Sequence, residues 1–339
     1  MTTAPGTPIA VLGAGSWGTA LAILLAKNGI ETRLWGHNPD HMARLSKAGV
    51  NEDYLEGVPF PSGLLPTGDI ETAIADVSDM LIVVPSTAFR ELIERLRNLT
   101  NGRKIRLAWA SKGLDSVSGD LLHHVVEDIF PDDTPPYAIV SGPTFAREVA
   151  IGLPAAVTIA TRDTQFGEDL SLRLHNAYFR VYTANDIAGV ALGGATKNIY
   201  AIAAGIADGL GFGANTRAAL ITRGLNEIMR LGVAVGGNPE TFMGLTGLGD
   251  LVLTCTDDQS RNRRFGLRLA RGEAASTAMH EIHQVVEGVE AARLVLPLAK
   301  RLNVEMPIAN EVHEILFHGK PPQDAVRDLL NRDRRGEGY

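Results

Sequence analysis

The stretch VLGAGSWGTALA, close to the N-terminus, restricts the possible folds of this chain more than any other segment. Gly13, Gly15 and Gly18 satisfy G-x-G-x-x-G, directly after the apolar run IAVLGAG (9–15) and at the head of the helix-like segment SWGTALAILLAKNG (16–29). A strand, a tight glycine turn and a helix in that order form the context that dinucleotide binding requires. Gly13 permits the turn, Gly15 lets backbone approach a pyrophosphate, and Gly18 lets helix and strand pack closely. The helix N-terminus would turn oriented N–H groups toward the phosphates.

The remainder of the first half continues the same pattern. Short apolar runs ETRLWGH (31–37), DMLIVVP (79–85), IRLAWAS (105–111) and YAIVSG (137–142) alternate with helical spacing such as SGDLLHHVVEDIF (118–130), and AAVTIA (155–160) and FRVYTA (179–184) add strands at the far edge. Strand and helix in alternation imply a parallel α/β sheet. From Asn185 onward long helical stretches replace the alternation, including TRAALITRGLNEIMRLGV and VEGVEAARLVLPLAKRL. A chain of 339 residues exceeds the size at which one core keeps growing, so two domains are expected. The expected fold is an α/β Rossmann-like domain with a mostly parallel sheet over 1–190, followed by an all-α domain over 191–339. The tail NRDRRGEGY is expected to fray.

Several side chains at predicted strand ends point to a ligand crevice. The position about 20 residues beyond the glycine turn, where an acid would hold the ribose of NAD, reads Trp35-Gly36-His37-Asn38. Without a carboxylate there a 2'-phosphate is not repelled; His37 is a candidate cofactor contact, and Arg44 is either a partner for that phosphate or an exposed surface residue. Lys112 follows the strand of IRLAWAS, and Ser141-Gly142-Pro143-Thr144 is a turn feeding a helix with Pro143 near its first position. Ligands bind at the carboxyl ends of strands in open α/β sheets.

The run from Ile187 to Ala207 is almost wholly Gly, Ala and large aliphatics, yet it carries Lys197. An isolated ammonium in such a setting needs a partner or a role. Asp250, between the glycine-rich turn and the apolar run of GLTGLGDLVLTC, is the obvious counter-charge. Ser260, Arg261 and Asn262 then offer a hydroxyl, a forked guanidinium and an amide together, which suits a phosphate with several acceptor oxygens.

Composition removes several classes. The net charge of −7 argues against a protein built to neutralise nucleic-acid phosphates. The length of 187–207 would span a bilayer, but Lys197, Asn198 and many small residues favour a helix buried in protein. The single cysteine, Cys255, cannot form an intrachain disulfide and fits a reducing cytoplasm as a buried thiol. MTTAPGTP has neither the basic nor the apolar region of a secretory signal. His280 and His283 lack an acidic or cysteine partner at ligand spacing, so surface histidines are expected and no catalytic metal.

Taken together, GAGSWGTALA, SKG, SGPTFA, TKN, GLGDLVLTC, SRNRRFG and VVEG resemble the bacterial NAD(P)-dependent glycerol-3-phosphate dehydrogenases, in order, from about residue 9 to about residue 320. The resemblance implies reversible hydride transfer between NAD(P)H and dihydroxyacetone phosphate, supplying glycerol 3-phosphate for phospholipid synthesis. It implies that Ser16, Trp17 and Ala146 contact the cofactor, and that Lys112 and Arg261 serve both cofactor and substrate. Gly142, Thr144, Asp250, Ser260 and Asn262 would hold substrate, Lys197 would be the catalytic base, and Val285 and Glu287 would close over the cofactor. Family habit also implies a cytoplasmic homodimer. The departure from the family is GGATKN, where many relatives carry a bulkier residue than Thr196; only local packing is affected. Rival readings are a 3-hydroxyacid dehydrogenase, which has no need of Ser260-Arg261-Asn262, and a sugar-nucleotide dehydrogenase, which would need a nucleophilic cysteine. A cofactor-sensing module would not need Lys112, Lys197 and Asp250 together.

Overall fold

The computed structural model describes residues 7–282 and 285–332. The chain divides into two compact units, Met1–Ser111 with Leu122–Ile187, and Lys112–Leu121 with Ala188–Tyr339. One amendment to a single boundary near residue 190 follows: the ten residues from Lys112 join the second unit. Their apolar members explain why, because Leu114 and Leu121 pack into the helical core.

Strands β1 (Ile9–Leu12), β2 (Thr32–Trp35), β3 (Leu64–Thr67), β4 (Asp79–Ile82), β5 (Arg106–Trp109), β6 (Tyr137–Ser141), β7 (Ala155–Thr161) and β8 (Phe179–Ala184) form one sheet in the first unit. Their order is β3-β2-β1-β4-β5-β6-β7-β8, and every neighbouring pair is parallel except β6 with β7. The central strands β1, β4 and β5 are buried along their whole length, as parallel strands covered on both faces must be. The sequence reading assigned no strand to Leu64–Thr67. Pro66 hides it, and the strand tolerates proline because it sits at the sheet edge, paired only with β2.

Helices α1 (Ser16–Lys27), α2 (Pro39–Ala48), α3 (Glu52–Leu55), α4 (Ile70–Ile74), α5 (Phe89–Leu99), α6 (Leu122–Ile129), α7 (Ala146–Ile151) and α8 (Thr164–Leu174) connect the strands. Every residue of α1 from Gly18 to Ala26 is buried, the state expected of a helix that is apolar on all sides. A second correction concerns Pro143. Helix α7 begins at Ala146 with Phe145 as its N-cap, so Pro143 lies in the preceding loop and not in the first helical turn.

The second unit is helical: α9 (Ile187–Gly209), α10 (Ala214–Ala234), α11 (Pro239–Phe242), a π-helical turn over Leu245–Gly249, α12 (Asp250–Thr256), α13 (Arg261–Ala270), α14 (Ala275–Ile282), α15 (Glu287–Arg301), α16 (Pro307–His318) and α17 (Pro322–Leu330). Among the described residues α9 alone is long and apolar enough to cross a membrane by length and composition, and 89% of its most apolar window is buried inside the protein. It is the spine of the helical core, contributing Leu192, Ile199, Tyr200 and Ile202.

Glycine lets α9 and α13 touch backbone to backbone. A Cβ on Gly205 would lie 2.0 Å from the carbonyl oxygen of Arg263, and one on Gly266 would lie 2.1 Å from that of Ile202. Neither neighbour is a side chain that can swing aside. Gly205→Ala is therefore expected to cost about 1–3 kcal/mol of unfolding free energy by urea titration. An unchanged midpoint would show that the two helices can separate freely.

Candidate active site

In the first unit, the sheet order reverses at β1, which lies between β2 and β4. The crevice outside the carboxyl ends at such a point is where open α/β sheets take their ligands. The loop that follows β1 is built for close approach. Gly13 has φ of +128°, and a Cβ there would meet the Val83 carbonyl oxygen at 2.3 Å; a Cβ on Gly18 would meet the Gly13 carbonyl oxygen at 1.8 Å. Gly15 has nothing within 4 Å of its Cβ position, so this side of the loop is open. Gly15 is also the N-cap of α1, without a side-chain cap and with no acid in the first turn, where Ser16 and Trp17 are half-buried. Oriented N–H groups next to open space fit a dinucleotide pyrophosphate.

The end of β2 carries no carboxylate between Trp35 and Asn38. Asn38 caps α2, its Oδ1 accepting from the His41 N–H at 3.0 Å, and His37 is exposed beside it. Arg44 is exposed on α2 and donates to Asp53 at 3.2 Å, a carboxylate that a 2'-phosphate would have to displace. After β6, Gly142 lets the chain run against β7: its Cβ position is 2.8 Å from the Ala156 carbonyl oxygen. Thr144, two residues on, donates to the Gly142 carbonyl at 3.4 Å, and Ala146 opens α7 half-buried.

The second unit holds the charged centre. Gly193, one turn before Lys197 on α9, admits the Leu245–Gly249 turn so closely that a Cβ would stand 2.6 Å from the Thr246 carbonyl oxygen. That turn delivers Asp250, at the head of α12, to the lysine. Lys197 Nζ donates to Asp250 Oδ1 and, at 2.9 Å, to Thr254 Oγ1. Lys112 Nζ donates to Asp250 Oδ2 at 2.7 Å. One fully buried carboxylate thus bridges two ammonium groups. Burial alone would raise the Asp250 pKa, but Lys112 and Lys197 together hold it below the usual carboxylate range. Burial pushes Lys197 down to about 8; Asp250 opposes this shift and Lys112 reinforces it.

In the same unit, α13 begins with the three residues expected to bind a phosphate. Ser260 is its N-cap, Oγ accepting from the Arg263 N–H at 3.2 Å, and Arg261 is half-buried in the first turn. Asn262 is buried, with Oδ1 accepting from the Gly288 N–H at 2.8 Å. Glu287, which precedes it at the start of α15, accepts from Asn198 Nδ2 at 3.0 Å. Val285 is exposed. Arg263 belongs to a structural pairing, bonded to Asp208 and Asp258.

The structure therefore joins Lys112, Lys197 and Asp250 directly and groups Ser260, Arg261 and Asn262 at one helix end. Gly13, Gly15, Ser16, Trp17, Gly18, His37, Gly142, Thr144 and Ala146 all lie in the first unit. Sequence reasoning missed Thr254 and Asn198. The signal for Thr254 was its place four residues after Asp250, which puts both on one face of α12. Cys255 is fully buried, and burial pushes its thiol up to about 12, so it is no nucleophile at neutral pH. The hydroxyl of Thr196 bonds to the Leu192 carbonyl at 2.9 Å, accommodating the family departure within α9. His280 is exposed, whereas His283 and the tail from residue 333 lie outside the described residues.

The chain matches the family described as NAD-dependent glycerol-3-phosphate dehydrogenase, its N-terminal part over residues 8–167 and its C-terminal part over residues 186–327. It is 51% identical over 338 residues to a glycerol-3-phosphate dehydrogenase [NAD(P)+] of Haemophilus ducreyi, covering 99% of this chain and 100% of that one. It is 53% identical to its counterpart in Thioalkalivibrio sulfidiphilus over 97% of this chain and 98% of the relative. The crystal structure of glycerol-3-phosphate dehydrogenase from Coxiella burnetii superposes with a TM-score of 0.93 at 50% identity, covering 96% of this chain and 99% of that one.

Proposed function

From the premise that this chain belongs to the NAD-dependent glycerol-3-phosphate dehydrogenase family and is an NAD(P)-dependent oxidoreductase, we propose that Lys197 is the proton carrier for interconversion of sn-glycerol 3-phosphate and dihydroxyacetone phosphate. A single observation carries this reading. An ammonium has three N–H donors, and Lys197 commits two of them, to Asp250 and Thr254. Thr254 can only accept, because its own hydroxyl donates to the Asp250 carbonyl at 2.6 Å. Among the described residues no third acceptor takes up the remaining direction, which is left for a substrate oxygen. It is a donor when the lysine is charged and a lone pair when it is neutral.

When bound, the nicotinamide accepts or supplies the hydride at C2. Lys197 takes the C2 hydroxyl proton during oxidation and returns it to the carbonyl oxygen during reduction. A pKa of about 8 leaves both forms populated near neutrality, which is what a group serving both directions needs. The sign of the pH dependence follows. Oxidation requires the neutral amine, so its kcat should rise with pH through about 8, whereas kcat for reduction should fall through the same range. Flat profiles in both directions between pH 6.5 and 9.5 would assign the proton to another group.

The division of labour supported by these contacts gives the cofactor to the first unit, through Gly13, Gly15, Ser16, Trp17, Gly18, His37 and Ala146. Lys112, Asp250, Ser260, Arg261 and Asn262 would hold substrate, with Gly142 and Thr144; Lys112, Arg261, Val285 and Glu287 would also meet the cofactor. Ser260-Arg261-Asn262 at the head of α13 suits the substrate phosphate, since N–H groups, helix dipole and guanidinium all favour an anion there. Arg261→Ala should raise KM for dihydroxyacetone phosphate about 10- to 100-fold, the loss of one charge-assisted contact. Arg261→Lys should recover part of it, because a point charge replaces the fork incompletely. Unaltered KM in Arg261→Ala would put the phosphate elsewhere.

Cofactor choice follows from the end of β2. Lacking a carboxylate at residues 35–38, the enzyme should use NADPH at least as efficiently as NADH, compared as kcat/KM with each in turn. A strong preference for NADH would mean that another acid reaches the ribose. The buried free thiol of Cys255 fits a reducing cytoplasm. Family habit supports a homodimer, which light scattering would test, and a role in supplying glycerol 3-phosphate for phospholipid synthesis.

A further inference from the structure

The segment HHVVE of α6 carries chemistry that the dehydrogenase reaction does not use. His123, His124 and Glu127 each offer a ligand atom, all within 4.8 Å of one another. Helical spacing makes the group: Glu127 follows His124 by three positions and His123 by four, the two offsets that are neighbours on a helix surface. His123 is 4% exposed, and its Nδ1 is buried with no hydrogen-bond partner among the described residues. A buried polar atom left in that state is costly unless something occupies it. The carboxylate is also oriented: Tyr137 on β6 donates to Glu127 Oε1 at 2.6 Å. Outer-sphere hydrogen bonds of this kind fix metal-binding carboxylates.

We propose that His123, His124 and Glu127 form a site for a divalent transition cation, with Zn²⁺ as the reference ion and a further position left to water. Two imidazole nitrogens and one carboxylate oxygen are donors that zinc takes, at about 2.0–2.2 Å. Magnesium and calcium seek oxygen-only sets. The ligand atoms have to draw together around the ion, and the side chains allow it. His123 is the fixed point, while exposed His124 and half-exposed Glu127 can swing. Arg162 is near enough to oppose a cation, so micromolar affinity is expected and not the tighter binding of a closed four-ligand site.

The aromatic neighbours supply a spectroscopic readout. The rings of His123 and His124 are 4.1 Å apart, His123 stacks on Tyr137 at 6.5 Å, and Tyr137 stacks on Trp109 at 5.4 Å. A second cluster, His313, Glu314 and His318 on α16, offers the same donor types, with His313 22% exposed, and serves as an internal competitor. Chelator-treated full-length protein titrated calorimetrically with ZnCl₂ should bind with a micromolar Kd. His124→Ala and Glu127→Gln should each weaken that binding at least about tenfold, Tyr137→Phe should weaken it about tenfold, and His318→Ala should leave it unchanged. CuCl₂ should quench the part of the fluorescence that Trp109→Phe removes. Native turnover of His124→Ala verifies that the variant is folded. Zinc binding only in the millimolar range, or binding that His318→Ala abolishes while His124→Ala does not, overturns the site.

Discussion

Replacing Lys197 by methionine is expected to leave a folded protein that still binds NADPH while kcat falls by about 10²-fold or more. Methionine keeps the length and the apolar stem and removes the nitrogen proposed to carry the proton. The fold should survive because Asp250 keeps its bond to Lys112 at 2.7 Å, so no charge is left stranded. The residual rate should also lose its dependence on pH near 8, since the group that titrates there is gone. A purely structural ion pair predicts a different outcome: a lower melting temperature with turnover largely kept. This chain does hold buried ion pairs far from any chemistry, Arg106 with Asp79 at 2.6 Å among them, so burial by itself does not identify the proton carrier. A folded Lys197→Met protein with near-native kcat would refute the mechanism.

Asp250→Asn should have the largest effect on stability, about 3–5 kcal/mol, because it takes the shared carboxylate from two lysines at once. Lys197 and Lys112 are 9% and 14% exposed at their side chains, too little for water to replace it. The same change should act on chemistry in a predictable direction. Asp250 is what opposes the burial-driven fall in the Lys197 pKa, so without it the rise in oxidation rate should move to lower pH. Urea unfolding and a pH–rate profile of the folded fraction measure the two effects. Native stability with an unmoved profile would mean that the carboxylate charge contributes to neither.

Much of this was legible from residue spacing. The glycine turn, β1 and α1 could be read because each local choice serves one geometry, and Lys197 with Asp250 could be paired because each is awkward alone in an apolar run. What escaped has identifiable causes. Edge strand β3 contains Pro66, which signals a loop unless the free edge is known. Pro143 has the signature of a helix start, but α7 begins only after Phe145, whose backbone is still extended. The bond of Lys112 to Asp250 crosses 138 residues of sequence, a separation that no local pattern encodes, and only the family resemblance set Lys112 beside Lys197. Ser260 and Asn262 were read as ligands, and the structure adds that Ser260 caps α13 and Asn262 holds Gly288, duties visible only once α13 and α15 are in place.

The contact of Gly205 with Gly266 has a consequence for substrate length. Lys197 lies two turns upstream of Gly205 on α9, and Ser260-Arg261-Asn262 sits between one and two turns upstream of Gly266 on α13, so the proposed proton carrier and the proposed anion-binding helix end hang from one crossing point. If these two grips take opposite ends of the same molecule, the gap between them is a caliper whose jaws are set by main chain. Exchanging side chains at either jaw can loosen or strengthen a grip, but it cannot reset the gap. Acceptance of a longer phosphorylated alcohol would instead require the helices to slide along one another, and the paired glycines lock that coordinate.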